Sequence, residues 1–498
     1  TGDRVGSLFM NPGGPGFGAE DMIKGLSQFG PPPLTESFDL VGIDPRGTGK
    51  SRAIDCNSDW LDDTLVQLTP DDGFADDVDL YVEDFKEMAA ECNAEYGVDY
   101  LASITTENAA RDIETVRIAL GDEPLNFVGY SYGTAIGSVY ATLFPDAIRS
   151  MVLDGAVPTN PEVGDLDTFG ANVEAALVHL DESCNRWSAC PVGDVGLLKA
   201  IEIVRNQLEE NGSIGPLQPH EFEAAVGTMV DAPILYQPVT EGLALALDGN
   251  GDFLSGFGKD FLTPTPTGGF VEHAGTFPAI ICADGWNIRA GTVPELLDQA
   301  ERTAAANPNV GSDVEIPCDL WPVTGEGIPA VNYTGAAQIL VIGSTHDPIT
   351  PLSASEQLTS DLGANATLLE WGGSSHTVAF NPMIENRCIN DHVLAYLIDG
   401  DVPATTFCPM RGLVGIGWED PEPVVISRVT PGSPAEDAGL RPGDLIVSID
   451  GLPILTESDV VDGAPGDVVE FVVERDGTEI ELAVTRGFPV WELWREAD

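Results

Sequence analysis

Ser131 stands in Gly129-Tyr130-Ser131-Tyr132-Gly133, with a glycine two residues away on each side. A short apolar, β-prone run, Leu125 to Val128, precedes it. Small and apolar residues at helical spacing follow from Thr134 to Phe144, closed by Pro145. Strand, G-x-S-x-G, helix is the setting of a nucleophile elbow, a turn so tight that the serine takes a strained backbone and the glycines relieve the crowding. A serine hydroxyl is a weak nucleophile at neutral pH, so a histidine must take its proton and a carboxylate must fix that histidine's tautomer. On such a turn the chain order is serine, acid, histidine.

Six histidines are available. His376, in Gly372-Gly373-Ser374-Ser375-His376, follows an apolar strand candidate, Ala366 to Trp371. Asp347, in Ser344-Thr345-His346-Asp347-Pro348, follows another, residues 338–342. His179 and His392 sit inside helical patterns, and His220 and His273 fall in the middle of the chain. His346 neighbours Asp347 but precedes it, which leaves no room for that acid between it and the serine in chain order. Ser131, His376 and Asp347 are therefore the expected nucleophile, base and orienting acid.

Acyl transfer also needs two preorganised N–H donors for the oxyanion. The backbone N–H of Tyr132, directly after the nucleophile, is one. The other is expected from the Gly-rich loop Asn11-Pro12-Gly13-Gly14-Pro15-Gly16, with Gly14 as donor, because glycine lets backbone approach substrate closely. A dinucleotide-binding loop is the weaker reading: prolines break the run, and no acidic residue closes a suitable βαβ unit.

The elements that must carry these residues alternate. Val5–Met10 and Phe38–Ile43 read as strands and Thr106–Leu120 as a helix capped by Thr105 or Thr106; a strand over 125–130, the elbow helix and a strand at Ser150–Leu153 follow. This order predicts an α/β fold, a mostly parallel sheet with helices on both faces. Helical stretches at Thr168–Cys184, Gly196–Glu210, Glu221–Val230 and Val293–Ala306, with Pro/Gly-rich links, read as an insertion before the strands return at 338–342 and 366–371 and a helix follows over Ile384–Ile398. Beyond Cys408, short β-rich runs at Val424–Val429, Leu445–Ile449, Val468–Glu474 and Ile480–Thr485 alternate with turns and predict a separate small domain. The expected division is 1–157 and 331–410 for the core, 158–330 for a helical cap, 411–487 for the β-rich domain and 488–498 for a tail.

The 498 residues carry 81 acidic against 22 basic side chains, a formal charge of -59. Such a field repels phosphate backbones and anionic membrane surfaces, so nucleic acid is not an expected partner. The acids are dispersed, which suits a salty medium where screening relieves self-repulsion. No apolar run reaches the roughly 20 residues of a membrane span. Cys56, Cys92, Cys184, Cys190, Cys282, Cys318, Cys388 and Cys408 include no C-x-x-C pair, so a metal site is not expected. An even count suggests four disulfides and an oxidising compartment, paired by proximity as 56–92, 184–190, 282–318 and 388–408. The expected location is secreted, extracellular or in the cell envelope. The chain opens on Thr1 with no targeting segment, as a mature or trimmed chain would.

With these pieces in place, residues 5–408 resemble the α/β-hydrolase peptidases of the prolyl iminopeptidase and tripeptidyl aminopeptidase group. The matching segments are Asn11–Gly16, Asp44-Pro-Arg-Gly-Thr-Gly49, Gly129–Gly133, Val152-Leu-Asp-Gly155 and Asp347-Pro-Ile-Thr350. The resemblance implies an α/β-hydrolase fold with a helical cap, exopeptidase chemistry without a cofactor, and peptide substrates whose free N-terminus is held by acidic cap residues. It suggests Thr350 as a site-lining residue and Asp284 and Glu272 as amine-binding candidates. Members of that group carry further strands before the Gly-rich loop, where only about ten residues stand here, so trimming or an incomplete sheet edge is expected.

Residues 411–487 resemble a PDZ domain of the bacterial protease-associated kind, through Gly432–Asp444 and Ile446–Gly451. Such domains take protein C-termini by strand addition. Leu413, Val414, Gly415 and Ile416 would form the carboxylate loop, while the expected groove helix, Thr456–Asp462, is short; peptide capture and a docking role both stay open. The leading expectation is a secreted serine aminopeptidase. An esterase or lipase on the same triad, and a non-catalytic adaptor acting through the PDZ module, are the alternatives.

Overall fold

The computed structural model describes residues 4–56, 74–121, 124–157, 166–186, 190–231, 235–262, 275–285, 292–307, 309–310, 316–382, 384, 386–404, 406–409, 416–418, 424–429, 433–453 and 468–486. Seven strands form one sheet: β1 (Gly6–Asn11), β2 (Phe38–Gly42), β3 (Leu125–Tyr130), β4 (Ile148–Asp154), β5 (Ile339–Ser344), β6 (Ala366–Gly372) and β7 (Phe407–Pro409). Their spatial order is β2-β1-β3-β4-β5-β6-β7, and every neighbouring pair is parallel. The chain leaves β1 for β2 on one side and later returns to β3 on the other. The carboxyl ends of β1 and β3 therefore flank a topological switch point, where open α/β sheets place their ligands.

The central strands are apolar without alternation because both sheet faces are covered. Leu8, Met10, Val128, Tyr130, Val152, Leu340 and Ile342 share one buried cluster. Phe9, Phe127, Met151, Leu153, Ile339 and Val341 belong to a second cluster on the opposite face. The first cluster continues into helices lying between β4 and β5 in the chain, through Val173, Leu177 and Leu180. Those helices are Leu166–Arg186, Leu197–Asn211, Pro219–Asp231, Tyr236–Leu247 and Asp252–Leu262, whereas Thr276–Asp284 and Val293–Ala306 pack into the second cluster through Ile280 and Leu296.

Several helices depart from the sequence pattern. Phe74–Tyr96, Tyr236–Leu247, Asp252–Leu262 and Thr276–Asp284 have no predicted counterpart. Thr276–Asp284 is short and buried along most of its length, so it shows no amphipathic stripe to reveal its period. Asp252–Leu262 carries Gly256 and Gly258, and Tyr236–Leu247 has Pro238 in its first turn, which the missing first-turn hydrogen bonds tolerate. The helix predicted from Ile384 begins at Arg387. Of the two cap candidates for Thr106–Leu120, Thr105 accepts the Asn108 N–H at 3.2 Å, whereas Thr106 points elsewhere.

Disulfides join Cys56 to Cys92, Cys184 to Cys190, Cys282 to Cys318 and Cys388 to Cys408. Cys388, His392 and Cys408 converge within 4.8 Å, but the two sulfurs are bonded to each other and are not free ligands. No described helix is long and apolar enough to cross a membrane.

The C-terminal unit contains an antiparallel sheet ordered β11-β10-β12-β13, from Leu452–Pro453, Leu445–Ile449, Val468–Arg475 and Thr478–Thr485, and an antiparallel pair, β8 (Ile416–Trp418) with β9 (Ile426–Val429). Its own core gathers Ile426, Ala435, Leu440, Ile446, Phe471, Val473 and Val484. Of the predicted carboxylate loop, Leu413, Val414 and Gly415 lie outside the described residues, as does the 456–462 groove helix, and Ile416 opens β8.

Candidate active site

Ser131 sits between β3 and the helix Tyr132–Leu143, with φ 52° and ψ -123°. That backbone is strained for a residue with a Cβ. The turn closes so tightly that a Cβ on Gly129 would lie 2.3 Å from the Gly133 carbonyl oxygen. Gly129 is therefore required by contact between the strand and the helix that the serine joins, and Gly133 by contact with β1, where a Cβ would lie 2.9 Å from the Asn11 carbonyl oxygen. The Ser131 N–H donates to the Asp154 carbonyl at 2.8 Å, and the Thr134 hydroxyl donates to the Ser131 carbonyl at 2.7 Å, so the turn is fixed from β4 and from its own helix.

The loop after β1 lies against this turn. Gly13 has φ +101°, and a Cβ there would stand 2.6 Å from Tyr130 O, 2.9 Å from Ser131 Cβ and 3.3 Å from Tyr132 N. Gly13 is thus the loop residue in closest contact with the elbow. Its N–H donates to the buried Asn11 Oδ1 at 3.0 Å. The loop is braced from behind by Asp44, whose carboxylate accepts the Ala19 and Lys50 N–H groups, each at 2.8 Å.

Asp347 and His376 meet beyond β5 and β6. His376 Nδ1 lies 3.1 Å from both Asp347 carboxylate oxygens. Asp347 is buried and accepts the Ile349 N–H at 2.9 Å and the Thr350 N–H at 2.8 Å on Oδ1. The Thr350 hydroxyl donates to Asp347 Oδ2 at 2.9 Å and stands 3.2 Å from His376 Nδ1. Thr350 is accordingly in direct contact with both partners. Gly155 completes the floor, its missing Cβ position lying 3.1 Å from Thr350 Oγ1 and 3.5 Å from His376 Cε1. Ser131, Asp347 and His376 thus occupy one carboxyl edge of one sheet.

The remaining expectations fare differently. Glu272 lies outside the described residues. Asp284 is corrected: it is buried, its Oδ1 accepts the Thr106 N–H at 2.9 Å, and its Oδ2 accepts the Thr106 hydroxyl at 2.5 Å. It secures the first turn of Thr106–Leu120, whose leading N–H groups lack intrahelical partners, instead of facing a substrate amine. Thr106 Oγ1 also lies 2.7 Å from the Tyr132 hydroxyl, which burial and the nearby Asp284 charge push well above the usual phenol range.

Two contacts from the helices between β4 and β5 reach the histidine side of the edge. The Tyr236 hydroxyl donates to the Ser374 carbonyl at 2.7 Å. His179 stacks on His346 with ring centroids 3.9 Å apart, and burial lowers the His346 pKa despite the Glu182 charge. A histidine in a helical pattern gives no sign of such a partner; only the fold brings residues so distant in sequence together.

Residues 6–176 match a family model described as alpha/beta hydrolase fold, 304–408 one described as TAP-like protein, and 425–475 a PDZ domain. The chain is 34% identical over 427 residues to serine protease Hip1 of Mycobacterium tuberculosis, covering 81% of this chain and 80% of that one. It is 31% identical over 424 residues to carboxylesterase B of the same organism, covering 82% and 80%. It is 28% identical over 432 residues to tripeptidyl aminopeptidase of Streptomyces coelicolor, covering 81% and 76%. The chain belongs to the α/β-hydrolase serine peptidases related to tripeptidyl aminopeptidase, with a PDZ domain following the hydrolase portion.

Proposed function

We propose that the protein is a secreted serine aminopeptidase that releases short N-terminal pieces, tripeptides among them, through an acyl-enzyme on Ser131. The observation that carries this reading is the pairing of His376 Nδ1 with both oxygens of buried Asp347, at the sheet edge that also holds the strained Ser131. Asp347 holds the imidazole through Nδ1, and Nε2 acts as the base. Ser131 Oγ attacks the scissile carbonyl carbon as His376 takes its proton. His376 returns that proton to the leaving amine as the C–N bond breaks, and water then cleaves the ester by the same route.

The Tyr132 N–H is one oxyanion donor. Gly14 is the other, since the Gly13 N–H is already engaged by Asn11. Each donor contributes about 3 kcal/mol to the transition state. Thr350 holds the acid and the base in register. The cap, residues 158–330, closes over the edge to limit substrates to chain ends, the core comprises 1–157 and 331–410, and the PDZ unit, 411–487, takes protein C-termini or docks. The four disulfides support an extracellular or cell-envelope location.

The test is a panel of aminoacyl and tripeptidyl chromogenic amides, free and N-blocked, beside short-chain esters. Cleavage of free tripeptidyl amides, lost in Ser131→Ala, is expected. Equal cleavage of blocked and free amides would overturn the aminopeptidase reading. Turnover of esters alone would select the second reading, an esterase, which the carboxylesterase-named relative favours.

A further inference from the structure

We infer that Asp154 is a positioning residue for acyl transfer: it binds the His376 loop to the nucleophile strand and places a second negative charge behind the imidazolium. This rests on the acyl-transfer reading above. Asp154 is the last residue of β4, fully buried, and no role falls to it in a serine, histidine and acid triad. Its main-chain oxygen accepts the Ser131 N–H at 2.8 Å. Its side-chain Oδ2 accepts the Val378 and Ala379 N–H groups at 2.9 and 2.7 Å. One residue therefore touches the backbone of the nucleophile and the backbone two and three places beyond the base.

The histidine loop needs such an anchor. Thr377 and Phe380 both have positive φ, 65° and 57°, conformations that cost non-glycine residues free energy unless neighbouring bonds hold them. The Phe380 N–H is fixed by Asn390 Oδ1 at 2.8 Å, while Asp154 fixes the two N–H groups between. These bonds alone need only an acceptor, and a neutral amide would serve.

The second Asp154 oxygen points to a role for charge. Oδ1 is buried and has no hydrogen-bond partner among the described residues, an arrangement that is costly for a purely structural carboxylate. The titratable groups facing Asp154 are Asp347 beyond β5, His376 beyond β6 and the buried Tyr130 hydroxyl on β3. Burial pushes the Asp154 carboxyl up to about 6, reinforced by the Asp347 charge and opposed by the two N–H bonds and His376. Above that value the group is anionic, and a positive His376 gains from it in a poorly screened site. Below it the charge is gone. The acid limb of acylation must then report two protons, one on His376 and one on Asp154.

The decisive variant is Asp154→Asn, whose amide oxygen still accepts from Val378 and Ala379 while the charge is removed. The measurements are the pH profile of kcat/KM on a tripeptidyl amide and the pH dependence of Ser131 labelling by a fluorophosphonate. The expected result is a plateau kcat reduced about tenfold with KM little changed, and an acid limb that moves to lower pH by about one unit as its slope falls from two protons to one. An acid limb with unchanged midpoint and slope overturns the proposal, whatever happens to kcat. If the variant does not accumulate as folded protein, the wild-type profile decides, because a one-proton limb there overturns the proposal equally. Failure of the fluorophosphonate to label wild type, or turnover surviving in Ser131→Ala, would instead remove the acyl-transfer reading and this proposal with it.

Discussion

Gly13→Ala is the sharpest perturbation of the site that leaves every reacting group in place. The new methyl would have to stand 2.6 Å from Tyr130 O and 2.9 Å from Ser131 Cβ, with φ at +101°. Neither neighbour can yield cheaply, since Tyr130 ends a buried central strand and Ser131 is already strained and bonded to Asp154. The loop must therefore move outward. The backbone conformation costs alanine about 1–3 kcal/mol, and the collision adds about 1–3 kcal/mol. Displacing the loop by about 1 Å moves the proposed oxyanion donor off its target and is expected to cost on the order of a hundredfold in rate. Gly97→Ala is the control: its φ is +78°, yet an added Cβ meets nothing within 4 Å. It shares the backbone strain without the collision. We expect Gly13→Ala to lose about a hundredfold in kcat and in fluorophosphonate labelling with KM nearly kept, and Gly97→Ala to lose only thermal stability. Labelling of Gly13→Ala at the wild-type rate would refute the reasoning.

Thr350→Val removes the hydroxyl that meets Asp347 and His376 while keeping its shape, and should lower kcat about tenfold with little change in melting temperature, read by steady-state kinetics beside calorimetry. Asp284→Ala should destabilise the chain by about 2–4 kcal/mol, because it leaves the buried Thr106 N–H and hydroxyl without their acceptor; activity of the folded fraction should persist, and selective loss of free-amine substrates would restore Asp284 as an amine-binding acid. In the PDZ unit, burial raises the Asp444 carboxyl pKa but the Arg475 guanidinium and the Arg441 N–H outweigh it, so the net shift is below 3.8. The associated stability is present above pH 3.8 and is lost as pH falls through the lowered folded value. Unfolding of the full chain followed against pH should show this acid-sensitive component in wild type and a smaller one in Arg475→Met.

Legibility in the sequence tracked how local each signal is. Ser131, Asp347 and His376 each stand three to five residues past the end of an apolar run, and a loop at a strand's carboxyl end is a local pattern, so their shared edge follows from strand order. The parallel sheet was legible for the same reason. Thr276–Asp284 was not, since a helix buried on nearly all sides carries no period. Asp284 was misread because the sequence does not disclose that Thr106, 178 positions away, claims its carboxylate. Asp154 stood within a recognisable Val-Leu-Asp-Gly segment, but its burial and its two amide partners exist only once β4 and the histidine loop are packed together.

Every disulfide joins a cysteine to the next cysteine along the chain, over separations of 36, 6, 36 and 20 residues. No bridge encloses or crosses another. A chain emerging from its N-terminus can therefore close each loop before the next pair of thiols arrives, and the correct partner is always the nearer one. Oxidation then proceeds as a sequence of local closures, with little call for exchange among wrong pairs. Since all the cysteines lie between positions 56 and 408, the PDZ unit plays no part in that schedule, and its folding is indifferent to the redox state of the medium.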